Sequence, residues 1–174
     1  MRRWLATALL LAGTAQAAAP PLPPAVLADT ANLRPLGEAR LRVLVWHVYD
    51  AALWSASPVF DAEGPFALDI RYAMDVRGAD LAKRSVEEMR RLGHRDAATL
   101  ARWESAMRAV FPDIRAGDRL VGVHVPGREA RFYGAKGLIG VVADAEFARA
   151  FFAIWLDPRT SEPAMRLELL GLAP

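Results

Sequence analysis

Arg40, Arg42, His47, Tyr49 and Arg71 carry side-chain types that could hold the polar head of a small ligand. A guanidinium is a planar fork that can give a carboxylate two parallel hydrogen bonds. A phenol hydroxyl at Tyr49 could add a donor, and the His47 imidazole could donate or accept near neutral pH. Each has a structural alternative. Arg71 could pair with Asp50 across neighbouring strands, or anchor an anion in a cleft. His47 could be a neutral, hydrogen-bonded core residue, or touch a ligand.

Other chemistry is sparse. The chain has no Cys, which removes thiol nucleophiles and thiolate metal sites. His47, His94 and His124 are scattered without the spacing of a metal site, so we expect no metal and no cofactor. No Ser sits in a GxSxG context and there is no glycine-rich phosphate loop, so no catalytic residue is assigned.

These residues must be positioned by strands. Val43 to Trp54 is β-branched and aromatic, without Gly or Pro, and reads as one long strand from about Leu41. Alternation puts Tyr49, Ala51 and Leu53 on one face with His47, and Trp46, Ala52 and Trp54 on the other with Arg42. Both faces are mostly apolar, so both need cover. Phe66 to Met74 alternates cleanly, with Asp69 and Arg71 on the polar side, and reads as a half-exposed strand. Two helices follow, one ending near Gly93 and one starting at an Asp96 cap and closing before Pro112. Arg119 to Val125, Glu129 to Tyr133 and Leu138 to Val142 read as a strand meander. Asp144 caps a helix carrying Phe147, Phe151, Ile154 and Trp155 on one stripe, and Ser161 a last one. Phe152 points away from that stripe, which leaves more apolar surface than one thin core needs. Strands grouped apart from helices mean α+β, with a mostly antiparallel sheet and a layer of helices.

The N-terminus reads as a cleaved export leader. Arg2 and Arg3 precede a short apolar run, and Ala15-Gln16-Ala17 fits a cleavage site after Ala17. The apolar run falls short of the ~20 residues that span a bilayer. A periplasmic or secreted product follows, with residues 1–17 as leader, 18–35 as an extended lead-in and 36–174 as one domain. Of the 22 basic residues two lie in the leader, which leaves 20 against 20 acidic ones. That balance argues against nucleic acid as a partner.

With the elements placed, the chain resembles the bacterial chalcone isomerase-like family from about Leu36 to Gly171. The residues that carry the likeness are Gly37, Val48-Tyr49-Asp50-Ala51-Ala52-Leu53-Trp54, Leu68-Asp69-Ile70-Arg71-Tyr72 with Asp75, and Asp80-Leu81-Ala82-Lys83. Gly117-Asp118-Arg119-Leu120 and Phe147 to Leu156, followed by Pro158 and Ser161, complete the set. The resemblance implies an open-faced β-sandwich with a cleft between sheet and helices. It implies two kinds of activity, closure of chalcones to flavanones or binding of fatty acids through Arg and Tyr. The enzymes use an Arg and a Thr near the first long strand, and a Tyr and an Asn on the first helix. Here the Thr position is Tyr49, and the helix positions are Ala82 and Met89, which carry no polar donor. The Arg position is Leu41, flanked by Arg40 and Arg42.

The reading is therefore an exported, non-catalytic protein that binds a small amphipathic ligand, a fatty acid first, at Arg40, Arg42, Tyr49, Arg71 and His47. Arg42 and Tyr49 could cooperate only across a β-bulge. The alternatives are an intramolecular lyase acting on a phenolic enone, and an interaction domain without a small ligand. Oligomeric state is not legible.

Overall fold

A computed structural model of the chain describes residues 20–30 and 32–172. The expected leader and its cleavage site lie outside them. The elements are α1 (Pro24–Asp29), β1 (Arg34–Val43), β2 (Trp46–Ser55), β3 (Phe66–Tyr72), α2 (Gly78–Arg91), α3 (Ala97–Val110), β4 (Arg119–Val125), β5 (Glu129–Gly134), β6 (Gly137–Val142), α4 (Ala145–Leu156) and α5 (Pro163–Leu169). All six strands form one antiparallel sheet in sequence order. The expected α+β class and open-faced sheet are what the structure shows.

Helices α2 to α5 cover one face of the sheet. The main core lies there, with Leu53, Leu68, Phe132, Met89, Trp103, Phe147 and Leu169 fully buried. Local signals account for the helix ends. Asp96 accepts from the Thr99 N–H at 2.7 Å, and Asp144 accepts from the N–H groups of Glu146 and Phe147, both at 2.9 Å. Asp144 also accepts from the Trp103 indole at 3.0 Å. Burial opposes the Asp144 charge, but these hydrogen bonds outweigh it and hold the carboxyl below its usual range. Phe151 and Phe152 both serve the core, their rings 5.3 Å apart, because α4 is overlaid by the sheet on a broad front.

The opposite face has a thinner cover. Leu22, Val26 and Leu33 pack on Ala52, Trp54, Val121, Val123 and Tyr133. Residues 24–29, expected in an extended lead-in, form α1, and β1 begins within the expected lead-in.

Three further expectations are corrected. The single strand from Leu41 to Trp54 is a hairpin: β1 ends at Val43, Leu44 and Val45 turn, and β2 starts at Trp46. Leu44 makes the turn at φ 55°, a left-handed conformation rare for Leu, which is why no turn residue announced it. β3 is not half-exposed. It is central, and Asp69 is fully buried because Arg119 grips it through two contacts of 2.7 Å. Ser161 does not cap α5; its hydroxyl donates to Glu88 at 3.2 Å, and the residue before the helix is Glu162.

Candidate functional site

The hairpin register divides the five site residues between two faces. On β1 and β2, Leu41 stands opposite Tyr49 and Arg40 opposite Asp50, but Arg42 stands opposite His47, so Val48 is a bulge. Tyr49 faces the helices. There its hydroxyl accepts a hydrogen bond from the Trp155 indole at 2.9 Å and turns its own proton toward the Met165 sulfur at 3.9 Å. Tyr72, opposite Tyr49 on β3, meets it edge-on at 5.9 Å. A strand, α4 and α5 thus each contribute one side chain around a single phenol oxygen.

Electrostatics keep that oxygen protonated. Burial is the largest cause pushing the Tyr49 phenol up to about 12; the Trp155 hydrogen bond partly offsets it, and the Glu162 and Glu88 charges add to it. Burial raises Tyr72 further. Glu88 itself is bound to Arg84 at 2.8 Å and Arg91 at 2.7 Å. A thioether is a weak acceptor, so Tyr49 holds a donor that a carbonyl or carboxyl oxygen would satisfy better.

The remaining residues gather on the other face. Arg40, Asp50, Arg71 and Arg119 stand on one rung across β1 to β4. The Arg40 Nε donates to Asp50 at 2.6 Å. His47 joins this group rather than Tyr49's, because the bulge brings its Nε2 to 3.2 Å from the same Asp50 oxygen, though not in line for a hydrogen bond. Burial opposes the Asp50 charge, but Arg40 and His47 outweigh it and hold the carboxyl low. Arg119 is taken by Asp69. Arg71 is opposite Asp50, yet among the described residues it has no ion pair, and its Nε is buried without a partner. Arg42 is exposed and likewise unpaired among the described residues. A bulge is present at Val48, but it brings His47 onto Arg42's face and leaves Tyr49 facing the helices, so it does not put Arg42 and Tyr49 on one face.

Ala82 and Met89 lie on the buried face of α2 and bring no side-chain donor to the Tyr49 group. Among the described residues no group of His, Asp and Glu could hold a metal ion. A depression of about 660 Å³ lies at the far end of the hairpin, lined by Asn32, Arg34, Ser55 and Ser57, with Arg34 its one ionisable residue. Sequence reasoning missed Met165 and the Asp69–Arg119 pair. Both depend on partners more than 45 residues away, and no local pattern marks them.

Comparison with known proteins fits this architecture. Residues 17–171 match the model of the chalcone isomerase-like family. The chain belongs to that family. It is 30% identical over 145 residues to an uncharacterised protein of Haemophilus influenzae, covering 83% of this chain and 71% of that one. Its fold is similar to the crystal structure of a fatty-acid binding protein of Arabidopsis thaliana, with a TM-score of 0.61 at 12% identity, over 81% of this chain and 88% of that one. At that identity the likeness speaks for the fold. Among the described residues no helix is long and apolar enough to cross a membrane.

Proposed function

We propose that this chalcone isomerase-like protein is a non-catalytic binder of a single-chain amphiphile, a fatty acid first, received between the sheet and α4 and α5. The observation that carries the reading is the Tyr49 hydroxyl, a buried donor whose one acceptor is the weak Met165 thioether, beside the Trp155 indole. Met165 is the adaptable part: an unbranched thioether moves aside at low cost and leaves a slot of its own length. The Arabidopsis protein of the same fold is named for binding fatty acids, which supports the same ligand class here.

Arg42, one residue toward the tip from Tyr49's rung and on the outer face, is assigned to the carboxylate, which it would meet around the edge of β1; Arg40 and His47 steady Asp50 beside it, and Arg71 is a second cation on the same outer face. A tail gains ~0.8 kcal/mol per buried methylene, so about ten give roughly 8 kcal/mol before the costs of association take back several. Micromolar affinity follows for a medium or long chain. Export through the leader at residues 1–17 belongs to the same proposal, and N-terminal sequencing of the purified protein should find Ala18 first.

The test is calorimetric titration of a long-chain fatty acid and the matching alcohol into wild type, Tyr49→Phe and Arg42→Ala, beside organic extraction of the purified protein. Wild type should bind the acid, and Tyr49→Phe should bind it at least about fivefold more weakly, the loss of one hydrogen bond. Arg42→Ala should lose the preference for acid over alcohol. No binding by wild type and no co-purifying lipid would refute the reading.

A further inference from the structure

The turn of the β1–β2 hairpin is an apolar point in open solvent. Val43 is 53% exposed, Leu44 91%, Val45 86% and Trp46 70%. Monomeric surfaces scatter single apolar residues; four in a row at one tip are a contiguous patch. The tip also stands clear of the sheet. The last β2–β3 pair is Tyr49 with Tyr72, followed by the Ala73 N–H donating to the Val48 carbonyl, so the ladder to β3 stops short of Trp46 and His47. Leu44 holds its left-handed φ of 55° where Gly or Asn would be relaxed. A solvated turn gains nothing from Leu there.

We propose that this tip docks on an anionic lipid surface. The order of residues away from the tip is what selects a bilayer over a protein partner. Leu44 and Val45 come first, Val43 and Trp46 next, then the pair Arg42 and His47. At ~3.3 Å per residue the tip reaches roughly 7 Å beyond that pair, about the depth at which interfacial segments bury their apolar side. Trp favours the headgroup level, and Arg keeps its guanidinium among phosphates while its stem lies in apolar surroundings. Arg42 has no acidic partner among the described residues, and Asp50, the nearest carboxylate on the hairpin, is already neutralised by Arg40. The tip therefore presents uncompensated positive charge behind an apolar wedge, complementary to anionic headgroups.

The surface stands by itself, but its use rests on the ligand reading. Leu41 and Tyr49 form the next rung inward from Arg42 and His47. An amphiphile leaving the bilayer at the tip would meet Tyr49 without crossing water. The tip is then a loading point.

The experiment is co-sedimentation of the purified protein with phosphatidylcholine vesicles, with and without phosphatidylglycerol, using wild type and the double variant Leu44→Asp, Val45→Asp. Both side chains are exposed, so folding is unaffected, which a thermal melt confirms. Wild type should partition onto phosphatidylglycerol vesicles in a salt-sensitive manner, and the double variant should lose at least about tenfold. Any leader retained on the protein is the same in both, so equal partitioning of wild type and variant overturns the proposal. Absence of wild-type binding also overturns it, as does a wild-type dimer that the variant abolishes, which would make the tip an interface between copies. Fatty-acid titration of the double variant without vesicles should match wild type, so failure of the tip and failure of the ligand reading remain separate results.

Discussion

Replacing Gly37 by Ala should undock α5. Gly37 is mid-strand in β1 at an ordinary φ, where Ala would normally stabilise by roughly 0.5–1 kcal/mol. Here its added Cβ would sit 2.2 Å from the Glu168 carbonyl oxygen, 2.6 Å from that of Leu169 and 2.8 Å from the Leu169 carbonyl carbon. All three are backbone, so the helix must move as a body. Overpacking costs about 1–3 kcal/mol. Full undocking would expose Met165, Leu169 and Leu170, all buried, at roughly 1.5–3 kcal/mol each, less the backbone entropy regained by the freed turn. We expect a loss of about 2–4 kcal/mol, a fall in melting temperature of roughly 5–15 °C for a chain of this size. Gly134→Ala is the control. It also lies in a strand, but its Cβ meets the flexible end of Ile139 at 3.0 Å, so the loss should stay below about 1 kcal/mol. Urea unfolding followed by circular dichroism reads both. Gly37→Ala as stable as Gly134→Ala would mean that α5 does not lie on β1 as described.

Asp144→Ala should cost about 2–4 kcal/mol in urea unfolding, combining a lost helix cap with a buried Trp103 N–H left unpaired; Asp144→Asn should cost less. His124 is buried against Phe66 and Phe152, with Nδ1 2.9 Å from the Gly64 carbonyl, and burial lowers its pKa below the ordinary 6.5. The unfolded chain then takes up a proton that the folded one resists, so stability is full above about pH 7 and falls as pH drops through 6.5 toward the folded value. Urea midpoints at pH 7.5 and 5.5 should differ in wild type and differ less in His124→Gln. Mixing with a 2′-hydroxychalcone should give no loss of chalcone absorbance above background, because Ala82 and Met89 supply no donor; a fast loss abolished by Tyr49→Phe would place catalysis at this site after all.

Signals that live within a few residues were legible. Asp96 and Asp144 announced their helices, and the break between the Arg119–Val125 and Glu129–Tyr133 runs announced the β4–β5 turn, where Gly127 takes φ 66°. Signals set by distant contacts were not. Asp69 and Arg71 look alike on paper, two charges on the polar side of a strand. Arg119, 50 residues on, makes one of them a fully buried half of an ion pair. The Leu44-Val45 turn was hidden because its residues are the kind that extend strands. That turn and the Val48 bulge together broke the alternation on which the face assignments rested, which is why His47 changed company and Tyr49 did not.

The division of the five residues has a consequence for the direction in which an amphiphile lies. Tyr49's surroundings resist charge: burial and the Glu162 and Glu88 carboxylates raise the phenol, and they penalise a carboxylate for the same reasons. Arg42, exposed and unpaired among the described residues, stands one residue nearer the tip on the outer face. An ionised head pushed inward would lose hydration and gain only neutral donors, whereas a head held at the Arg42 level keeps water and a guanidinium. The proposed binding therefore places the head toward the hairpin tip and the tail toward Trp155 and Phe151, with the Tyr49 hydroxyl reaching the inner carboxyl oxygen. A fatty acid in a bilayer has its head at the surface and its tail pointing away from the protein, so it must turn end over end at the tip to reach this orientation. Acid-over-alcohol preference should then depend on Arg42, while affinity for both should depend on chain length and on Met165.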